Sequence, residues 1–442
     1  MTACRSSIFV HTLPFVCVFA CLLLSVSTAT AAERFPPPDF TDHKVPPTVV
    51  PPSPGEWYQY LDLAALVLAL GAASYLAVVR RSRRGLFVLA IASLAWLGFW
   101  RGGCICPIGA IQNVTLALCE PTYALPWTAA AIFVLPILFT LFFGRTFCAA
   151  VCPLGAVQEL VALRPVNVPV WLDQALGLLA YIYLGAGVMF AALGTAFVIC
   201  RYDLFVGFFR MGASANMLVL GACFLVVGIF VGRPYCRYLC PYGAILGIVS
   251  RWSKWQVRIP PERCVQCRLC EDACPYGAIR EPTAALLPAE RVRGRRRLAA
   301  LLVLCPVLIA AGFWLGRQLE VPLARLHPAV RLADRIALEQ TGRIEGTVDA
   351  SDAFRNTGRG ADDLYREAAA ISSRFRQAGG WFGAWVGLVI GAKLIHLSVR
   401  RRRRDYQPDR AACVSCGRCF WYCPGEQARQ GWIQTIEPVT KG

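Results

Sequence analysis

The chain has 442 residues, of which 56% are hydrophobic and only 16% are charged, and its mean hydropathy is +0.50. Soluble domains carry about 25% charged residues, so this composition argues against a single water-soluble globule. The 45 Lys and Arg against 27 Asp and Glu give a net charge of +18, and 21 Cys stand beside only four His. The length excludes a small disulfide-stapled secreted protein, and four scattered histidines argue against a bis-histidine haem bundle. The composition favours a membrane protein that is rich in thiolate ligands.

The N-terminus has the features of a signal peptide, which we predict for residues 1–31. Arg5 supplies the positive end, an apolar stretch follows, and Ala29-Thr30-Ala31 matches a small-residue cleavage site. An uncleaved anchor is the alternative, because the apolar stretch is long. Residues 32–57 include eight prolines and therefore predict an extended periplasmic linker rather than a helix or a packed core.

Seven further apolar runs are long enough, or nearly so, to cross a bilayer as helices. They lie at about 61–79, 86–100, 126–143, 172–194, 215–232, 298–316 and 381–399. Arginine clusters at 80–84, 291–297 and 400–404 abut these runs, and the positive-inside rule puts all three clusters in the cytoplasm. We therefore predict an all-α polytopic protein of the bacterial inner membrane, with an outer N-terminus and a cytoplasmic C-terminus. Because topology explains the arginines, we expect contact with membrane lipid and no nucleic-acid partner.

The predicted domains follow from these runs. A five-helix membrane core with Cys-Pro repeats covers 58–256, transmembrane helices cover 291–317 and 381–404, and two ferredoxin halves cover 257–290 and 405–442. A periplasmic loop covers 318–380. That loop carries nine Arg and nine Asp or Glu, so its net charge is zero.

Two cysteine runs share the spacing C-x2-C-x2-C-x3-C-P. The first run contains Cys264, Cys267, Cys270 and Cys274, and the second contains Cys413, Cys416, Cys419 and Cys423. Bacterial ferredoxins use this run, in which three thiolates wrap one cubane and the fourth ligates the other. Zinc sites usually lack the third cysteine and the Cys-Pro pair, which makes zinc the weaker alternative. Two spanning runs separate the halves, and this even number returns the chain to the cytoplasmic side.

Resemblance to two-cluster ferredoxins implies crossed ligation of two [4Fe–4S] clusters. One cluster would be held by Cys264, Cys267, Cys270 and Cys423. The other would be held by Cys413, Cys416, Cys419 and Cys274.

A shorter pattern, G-R-x2-C-x3-C-P-x-G-A, follows the third and the fifth apolar runs. The first copy carries Cys148 and Cys152, and the second carries Cys236 and Cys240. By topology all four lie at the cytoplasmic face of the membrane, and four thiolates are the number that one more cluster needs. Three interpretations stand for them: a further cluster or metal, unliganded thiols, or a reversible disulfide.

A shortened copy of this pattern contains Cys104 and Cys106 and falls on the outer face, where we also place Cys200. Two interpretations stand for these three cysteines: an outer redox or metal site, or a disulfide, which an oxidising periplasm permits. The remaining membrane cysteines have apolar neighbours and are expected to pack as small core residues. They are Cys119, Cys223 and Cys305.

The Cys-Pro repeats and the split ferredoxin together resemble the membrane core of NosR/NirI-type proteins, and more distantly NapH-type quinol dehydrogenase subunits, over roughly residues 60–430. The resemblance implies an iron–sulfur electron-transfer protein that supports a denitrification-type reductase or its maturation. Its partners would be a cytoplasmic electron donor or quinol, and a periplasmic redox partner. NosR-type proteins carry an outer flavin-binding domain, whereas a short Pro-rich stretch occupies that place here. No Ser/Thr-Gly-Ala-Thr attachment run occurs, so we expect a separate flavoprotein rather than covalent FMN on this chain.

The sequence contains no nucleophile elbow, P-loop or H-E-x-x-H motif, so we expect no catalytic residues and a redox conduit rather than a stand-alone enzyme. The apolar core of a bilayer is about 30 Å thick, so electrons that cross it need an intermediate carrier. The membrane cysteines are the candidates for this role. The alternative function is a redox- or metal-sensing transmembrane regulator without steady electron turnover.

Overall fold

The structure is a computed structural model that describes residues 56–103, 106–166, 168–259, 264–283, 288–399 and 402–433. The predicted signal peptide, almost all of the Pro-rich linker and Cys104 lie outside the described residues. The described residues are 71% helical with almost no strand, and they include several helices of membrane-spanning length and composition. These observations confirm the predicted all-α polytopic fold.

The first half of the described chain contains twelve helices, numbered here in chain order. They are α1 (Glu56–Ser74, extended by a π-helical turn, Tyr75–Val79), α2 (Arg83–Ser93, extended by Leu94–Trp100), α3 (Pro107–Cys119), α4 (Trp127–Phe143), α5 (Pro153–Val161), α6 (Val170–Leu176), α7 (Leu179–Ala192), α8 (Val198–Arg201), α9 (Val206–Phe209), α10 (Ala215–Phe230), α11 (Pro234–Tyr238) and α12 (Pro241–Val249). A further π-helical turn, Phe147–Val151, precedes α5, and a 3-10 turn, Ser250–Trp252, follows α12.

The second half contains eight helices and two short strands in the described residues. They are α13 (Leu269–Asp272), β1 (Ile279–Arg280), α14 (Pro288–Gln318), α15 (Glu320–Ala324), α16 (Pro328–Gln340), α17 (Asp349–Asn356), α18 (Ala361–Ser398), β2 (Gln407–Pro408), α19 (Arg418–Trp421) and α20 (Pro424–Arg429).

Each of the seven predicted apolar runs lies on a helix or a pair of successive helices. Five helical segments in the described chain are long and apolar enough to span a membrane: Trp57–Val79, Arg83–Trp100, Val170–Ala192, Pro288–Gln318 and Ala361–Ser398. The apolar helices α3, α4 and α10 are shorter, at 10–17 residues. Of these three, α3 has no counterpart among the predicted runs.

The segment 318–380, expected as a loop, contains helices α15, α16 and α17 and the first part of α18. On α16 the buried residues Val330, Ala333 and Ile336 recur every three positions, so one face of this helix is apolar. That face belongs to the same hydrophobic cluster as Leu364 and Phe375 of α18. A polar segment can form helices here because α18 continues beyond the membrane and supplies the surface on which they pack.

Helices α14 and α18 pack through glycines, so their backbones approach closely. A Cβ atom added at Gly383 would lie 2.0 Å from the carbonyl oxygen of Gly312, and one at Gly387 would lie 2.2 Å from that of Leu308. Small residues at such positions allow two membrane helices to pack without the hydrophobic driving force that water supplies.

Both Cys-Pro repeats fold as hairpins whose two ends reach the ferredoxin. In the first repeat, a Cβ atom added at Gly144 after α4 would lie 3.6 Å from the Ser415 hydroxyl of the second ferredoxin half. The chain then runs through Phe147–Val151 to Cys152, and α5 returns to Glu159, which binds Arg418 of the same half. Cys152 therefore lies at the tip of this hairpin, between two ends that contact the ferredoxin.

The second repeat follows the same path. A Cβ atom added at Gly232 after α10 would lie 2.9 Å from the Pro275 side chain of the first ferredoxin half. The chain turns through α11 to Cys240, and α12 returns to Ser250, whose hydroxyl donates a 2.8 Å hydrogen bond to the Arg410 carbonyl. Cys152 and Cys240 therefore occupy equivalent positions at the tips of two hairpins.

Candidate iron–sulfur sites

The two ferredoxin halves form one module although two membrane helices separate them in sequence. Strands β1 and β2 pair antiparallel, with Ile279 opposite Pro408 and Arg280 opposite Gln407. The Arg280 guanidinium also lies 3.4 Å from the Asp409 carboxylate, and the Asp409 N–H donates to the Ala278 carbonyl at 2.7 Å. These contacts place the two cysteine runs side by side.

The two cysteine loops share one backbone conformation. Gln266 and Arg268 of the first loop have φ values of 53° and 64°, and Ser415 and Gly417 of the second have 55° and 82°. These residues occupy the second and fourth positions after the first cysteine of each run. Left-handed backbone is costly for residues other than glycine, so its recurrence at matched positions indicates a functional constraint on both loops. In the second loop the Ser415 N–H donates to the Cys413 sulfur at 3.4 Å.

The module brings the cysteines together in the crossed arrangement expected from the resemblance. Burial raises the pKa of the Cys270 thiol to about 12, and the neighbouring thiols of Cys423, Cys267 and Cys264 add to this effect. Burial also raises the pKa of the Cys419 thiol well above its ordinary value, and here the neighbouring thiols are Cys413, Cys416 and Cys274. Each group therefore combines three thiols of one run with the fourth thiol of the other. Ligation itself stays a prediction.

The second group surrounds a small cavity whose chemistry fits an iron–sulfur cluster. All four of its thiols line the cavity, and Val257, Ile279 and Val414 contribute apolar walls. The Ala278 N–H donates to the Cys274 sulfur at 3.4 Å. Thiolates with backbone N–H donors in an apolar setting are the surroundings that tune such clusters. A [4Fe–4S] cluster bound there would accept and release one electron.

Zinc fits these groups less well than a cluster does. Across the part of the chain that the structure describes, no three side chains from His, Cys, Asp and Glu converge closely enough to bind a single metal ion. Zinc needs four ligands at about 2.0–2.3 Å from one centre. Thiols spaced around a wider cavity suit a group of several iron atoms.

The four cysteines of the Cys-Pro repeats also form a group. The Cys240 thiol interacts electrostatically with the thiols of Cys236, Cys152 and Cys148. The Gly243 N–H donates to the Cys240 sulfur at 3.2 Å. All four are free thiols in this structure, so the set predicted at the membrane is brought together.

Polar side chains from the repeats contact this membrane group. The Gln158 amide nitrogen lies 3.2 Å from the Cys236 sulfur, and an Arg145 guanidinium nitrogen lies 3.9 Å from the Cys148 sulfur. Both groups are hydrogen-bond donors, and donors to the ligand sulfurs are the surroundings that orient and tune a bound metal. The four thiols, with Gln158 and Arg145 beside them, therefore suit a metal ion or an iron–sulfur cluster at the membrane group.

The two repeats exchange arginines across a pseudo-twofold relation. Arg233 of the second repeat donates hydrogen bonds to the carbonyls of Cys148 and Ala149 in the first. Its guanidinium lies 3.1 Å from the position of a Cβ at Gly155, and Arg145 lies 3.3 Å from the equivalent position at Gly243. A side chain at either glycine would push the arginine away, which explains the glycine after each Cys-Pro pair. The sequence pattern contains these arginines and glycines but not their exchange between repeats.

Glu159 joins the membrane group to the ferredoxin module. Its side chain is only 2% exposed and accepts hydrogen bonds from Arg233 at 3.1 Å, Arg418 at 2.8 Å and Tyr276 at 2.8 Å, and it also pairs with Arg83 at 2.5 Å. Burial alone raises the pKa of this carboxyl, but the three guanidinium groups hold it well below its ordinary value. Because Arg418 precedes Cys419 and Tyr276 follows Cys274, one carboxylate fixes both ferredoxin halves on the membrane core. Glu159 belongs to no motif in the sequence, since its place seven residues after Cys152 follows no known ligand or catalytic pattern.

The structure brings Cys106 and Cys200 together at the start of α3, while Cys104 lies outside the described residues. The Cys200 sulfur lies 3.0 Å from the position of a Cβ at Gly109, and the buried Gln112 side chain accepts a 3.0 Å hydrogen bond from the Cys200 N–H. Cys106 interacts electrostatically with Cys200 and also with Cys152 of the membrane group. The expected outer site therefore adjoins the membrane group. Its interpretation as a metal site or a disulfide stays open.

The three cysteines expected to act as packing residues differ in their surroundings. Cys305 lies at the contact of α14 with α18, 2.6 Å from the position of a Cβ at Gly391, and Cys223 is half-buried. Cys119, by contrast, is exposed at the end of α3, where no helix covers it in the described chain.

Comparison with known proteins supports the cysteine chemistry. Residues 125–178 and 214–260 match one 4Fe-4S binding domain model, and residues 257–280 match a second one. The first match contains both Cys-Pro repeats, and the second contains the first ferredoxin run.

Curated relatives are similar over part of the chain. YccM of Escherichia coli K12, named as a candidate electron transport protein, is 31% identical over 189 residues, which are 38% of this chain and 52% of YccM. NirI of Paracoccus denitrificans is 31% identical over 233 residues, which are 48% of this chain and 33% of NirI. The chain thus spans about half of one relative and a third of the other. No solved structure matches it significantly. The cysteine geometry, the domain matches and these two relatives show that the chain contains 4Fe-4S binding domains and is similar to NirI/NosR-type iron–sulfur membrane proteins.

Proposed function

We propose that the chain conducts single electrons between a cytoplasmic or quinol donor and a periplasmic acceptor, through two ferredoxin clusters and a third cluster at the membrane group. The observation that carries this proposal is the continuous series of thiol groups. The two ferredoxin groups adjoin each other, the second adjoins the membrane group, and the membrane group adjoins Cys106 and Cys200. Such a series divides a crossing of about 30 Å into shorter steps.

The residues between the groups support this path. Arg145 lies beside Cys148 and also donates a 3.0 Å hydrogen bond to the carbonyl of Ala411, two residues before Cys413. Arg83 donates to the carbonyl of Cys416 at 3.0 Å while its other nitrogen binds Glu159. These links hold the second ferredoxin group and the membrane group in a constant relation.

Contacts between the arginine cluster and the ferredoxin support a cytoplasmic module at the inner membrane. Arg81 pairs with Glu426 at 3.1 Å, so the turn between α1 and α2 and the second ferredoxin half share one face of the molecule. If the positive-inside rule holds for this turn, the module is cytoplasmic. Cys106 and Cys200 then belong to the periplasmic half of the path, where a separate flavoprotein or another redox partner would take or supply electrons. From the resemblance, we propose that this partner serves a denitrification-type reductase or its maturation.

Iron analysis combined with reduced-state EPR of the purified full chain tests this proposal. Three cubanes predict about 12 Fe per chain, and the two ferredoxin clusters alone predict about eight. We expect the double variant Cys148→Ser plus Cys240→Ser to lose about four Fe and one paramagnetic centre, and the control Cys223→Ser to keep both. Unchanged iron and EPR signals in the double variant would overturn the membrane cluster, and a folded protein without iron would overturn all three. Clusters that respond to reductant but never reduce an outer acceptor would favour the regulator.

A further inference from the structure

An open pocket lies where the turn between α1 and α2 meets the second ferredoxin half, and no cysteine is among its lining residues. It encloses about 500 Å³. Its lining includes Arg80, Arg84, Trp421, Gln427, Gln430 and Trp432. The pocket thus combines two guanidinium groups, two amides and two indoles, and it contains no acidic side chain.

The four arginines of this turn divide into two pairs. Arg81 and Arg83 point into the protein, where Arg81 pairs with Glu426 and Arg83 with Glu159. Arg80 and Arg84 are exposed and line the pocket, and no carboxylate in the described chain pairs with either of them. Topology accounts for the positive charge on this turn, but only two of its four arginines form the ion pairs that hold the ferredoxin. The other half is available to an anion.

The indoles give the pocket an amphipathic character. The Arg84 guanidinium lies over the Trp421 ring at 5.2 Å, and the rings of Trp421 and Trp432 meet edge to face at 5.0 Å. Trp432 remains 50% exposed. Indoles with one face in water and one in an apolar setting are typical of the headgroup level of a membrane.

The position of the pocket matches that level. Arg80 follows directly after the span Trp57–Val79, and Arg84 lies in the first turn of the span Arg83–Trp100. The pocket therefore opens where two spanning helices leave the hydrocarbon. Arginine side chains in general bind phosphate oxygens with two parallel hydrogen bonds, and amides suit the hydroxyls of a glycerol headgroup.

We propose that this pocket binds the headgroup of an anionic phospholipid, with the phosphodiester between Arg80 and Arg84 and the glycerol beside Gln427 and Gln430. Bound lipid would tie the second ferredoxin half to the bilayer next to its cysteine group. Phosphatidylglycerol has the charge and the hydroxyls that this pocket can recognise. A soluble phosphate ester would use the same donors but would gain nothing from the adjacent membrane surface.

Titration of the detergent-purified full chain with phosphatidylglycerol or phosphatidylcholine tests the assignment. Tryptophan quenching by lipids with brominated acyl chains, together with the thermal unfolding midpoint, reports binding. We expect brominated phosphatidylglycerol to quench more than brominated phosphatidylcholine, which reaches only the exposed tryptophans of the spanning helices, and we expect phosphatidylglycerol alone to stabilise the protein. The double variant Arg80→Gln plus Arg84→Gln should lose about 10- to 100-fold in affinity, because two charge-assisted contacts disappear.

The double variant Arg295→Gln plus Arg296→Gln is the matched control, since it removes the same charge from exposed arginines at the start of α14. It should bind phosphatidylglycerol like the parent protein. The exposed Trp432→Ala variant gives a second test with no change of charge, and it should weaken quenching and stabilisation together. Equal effects of the two lipids, or equal losses in the two arginine pairs, would overturn the site. Equal stabilisation by glycerol 3-phosphate at matched concentration would show a soluble anion site and overturn the lipid assignment.

Discussion

Replacing Glu159 by Gln should uncouple the ferredoxin module from the membrane core. The substitution keeps the size of the side chain but removes the charge that three arginines share. Arg233 is 1% exposed and has no water to replace the carboxylate, whereas Arg83 and Arg418 are 17% and 20% exposed and remain partly hydrated. The main cost therefore comes from leaving Arg233 charged and buried without its partner.

The expected loss follows from measured buried ion pairs. Removal of one partner costs about 3–5 kcal/mol when the other stays buried and charged. Because Arg83 and Arg418 remain partly hydrated, we expect no further loss of stability from them. A loss of this size changes the unfolding equilibrium by more than about a hundredfold. An exposed pair contributes only about 0–1 kcal/mol.

Chemical unfolding in detergent micelles, followed by tryptophan fluorescence, measures the loss. Glu367→Gln is the control, because Glu367 and its partner Arg359 are 43% and 54% exposed. We expect a large decrease in the unfolding midpoint for Glu159→Gln and almost none for Glu367→Gln. Limited proteolysis should also cleave the ferredoxin module faster in the Glu159 variant. Equal unfolding midpoints for the two variants would refute the reasoning. The cost of burying Glu159 and its arginines would then cancel the electrostatic attraction between them.

Two further predictions follow from the geometry. Gly383→Leu should destabilise the α14–α18 pair by about 1–3 kcal/mol or more through overpacking, whereas Gly294→Leu on α14, with nothing within 4 Å of its Cβ position, should have little effect on the same unfolding midpoint. Cys423→Ser should abolish the EPR signal that Cys267→Ser also abolishes, because the two thiols belong to one group, and loss of the signal that depends on Cys413 instead would contradict crossed ligation.

The cysteine chemistry was predictable because it is local. Three ligands of one cluster lie within seven residues, so the spacing alone specifies a loop that wraps a cubane. The apolar runs were predictable for a similar reason, since a bilayer requires a continuous stretch of suitable length. The segment 318–380 was assigned as a loop between two spans from its place in the chain and its net charge of zero, and neither property predicts the helices within it. Helix α16 is stable there because α18 supplies an apolar surface, and that partner lies well beyond it in the chain.

The role of Glu159 could not be read from the sequence. Its partners Arg83, Arg233 and Arg418 lie 76, 74 and 259 residues away, on three different elements. A single acidic residue on a short helix has many ordinary explanations, and the spacing to its partners follows no helical or strand period. Both Arg145 and Arg233 belong to the repeated pattern, but the contact of each arginine with the other repeat could not be predicted from the sequence for the same reason.

The sequence by itself determined the cysteine spacing, the repeated Cys-Pro pattern and the spanning helices, because each of these depends on residues close together in the chain. Only the tertiary structure decided how the repeats exchange their arginines and where the ferredoxin docks, because these depend on contacts between distant segments. The charge of the first arginine cluster shows the difference. From the sequence, these arginines indicate only the topology of the turn. In the folded structure Arg81 and Arg83 hold the ferredoxin, whereas Arg80 and Arg84 face an open pocket at the membrane border.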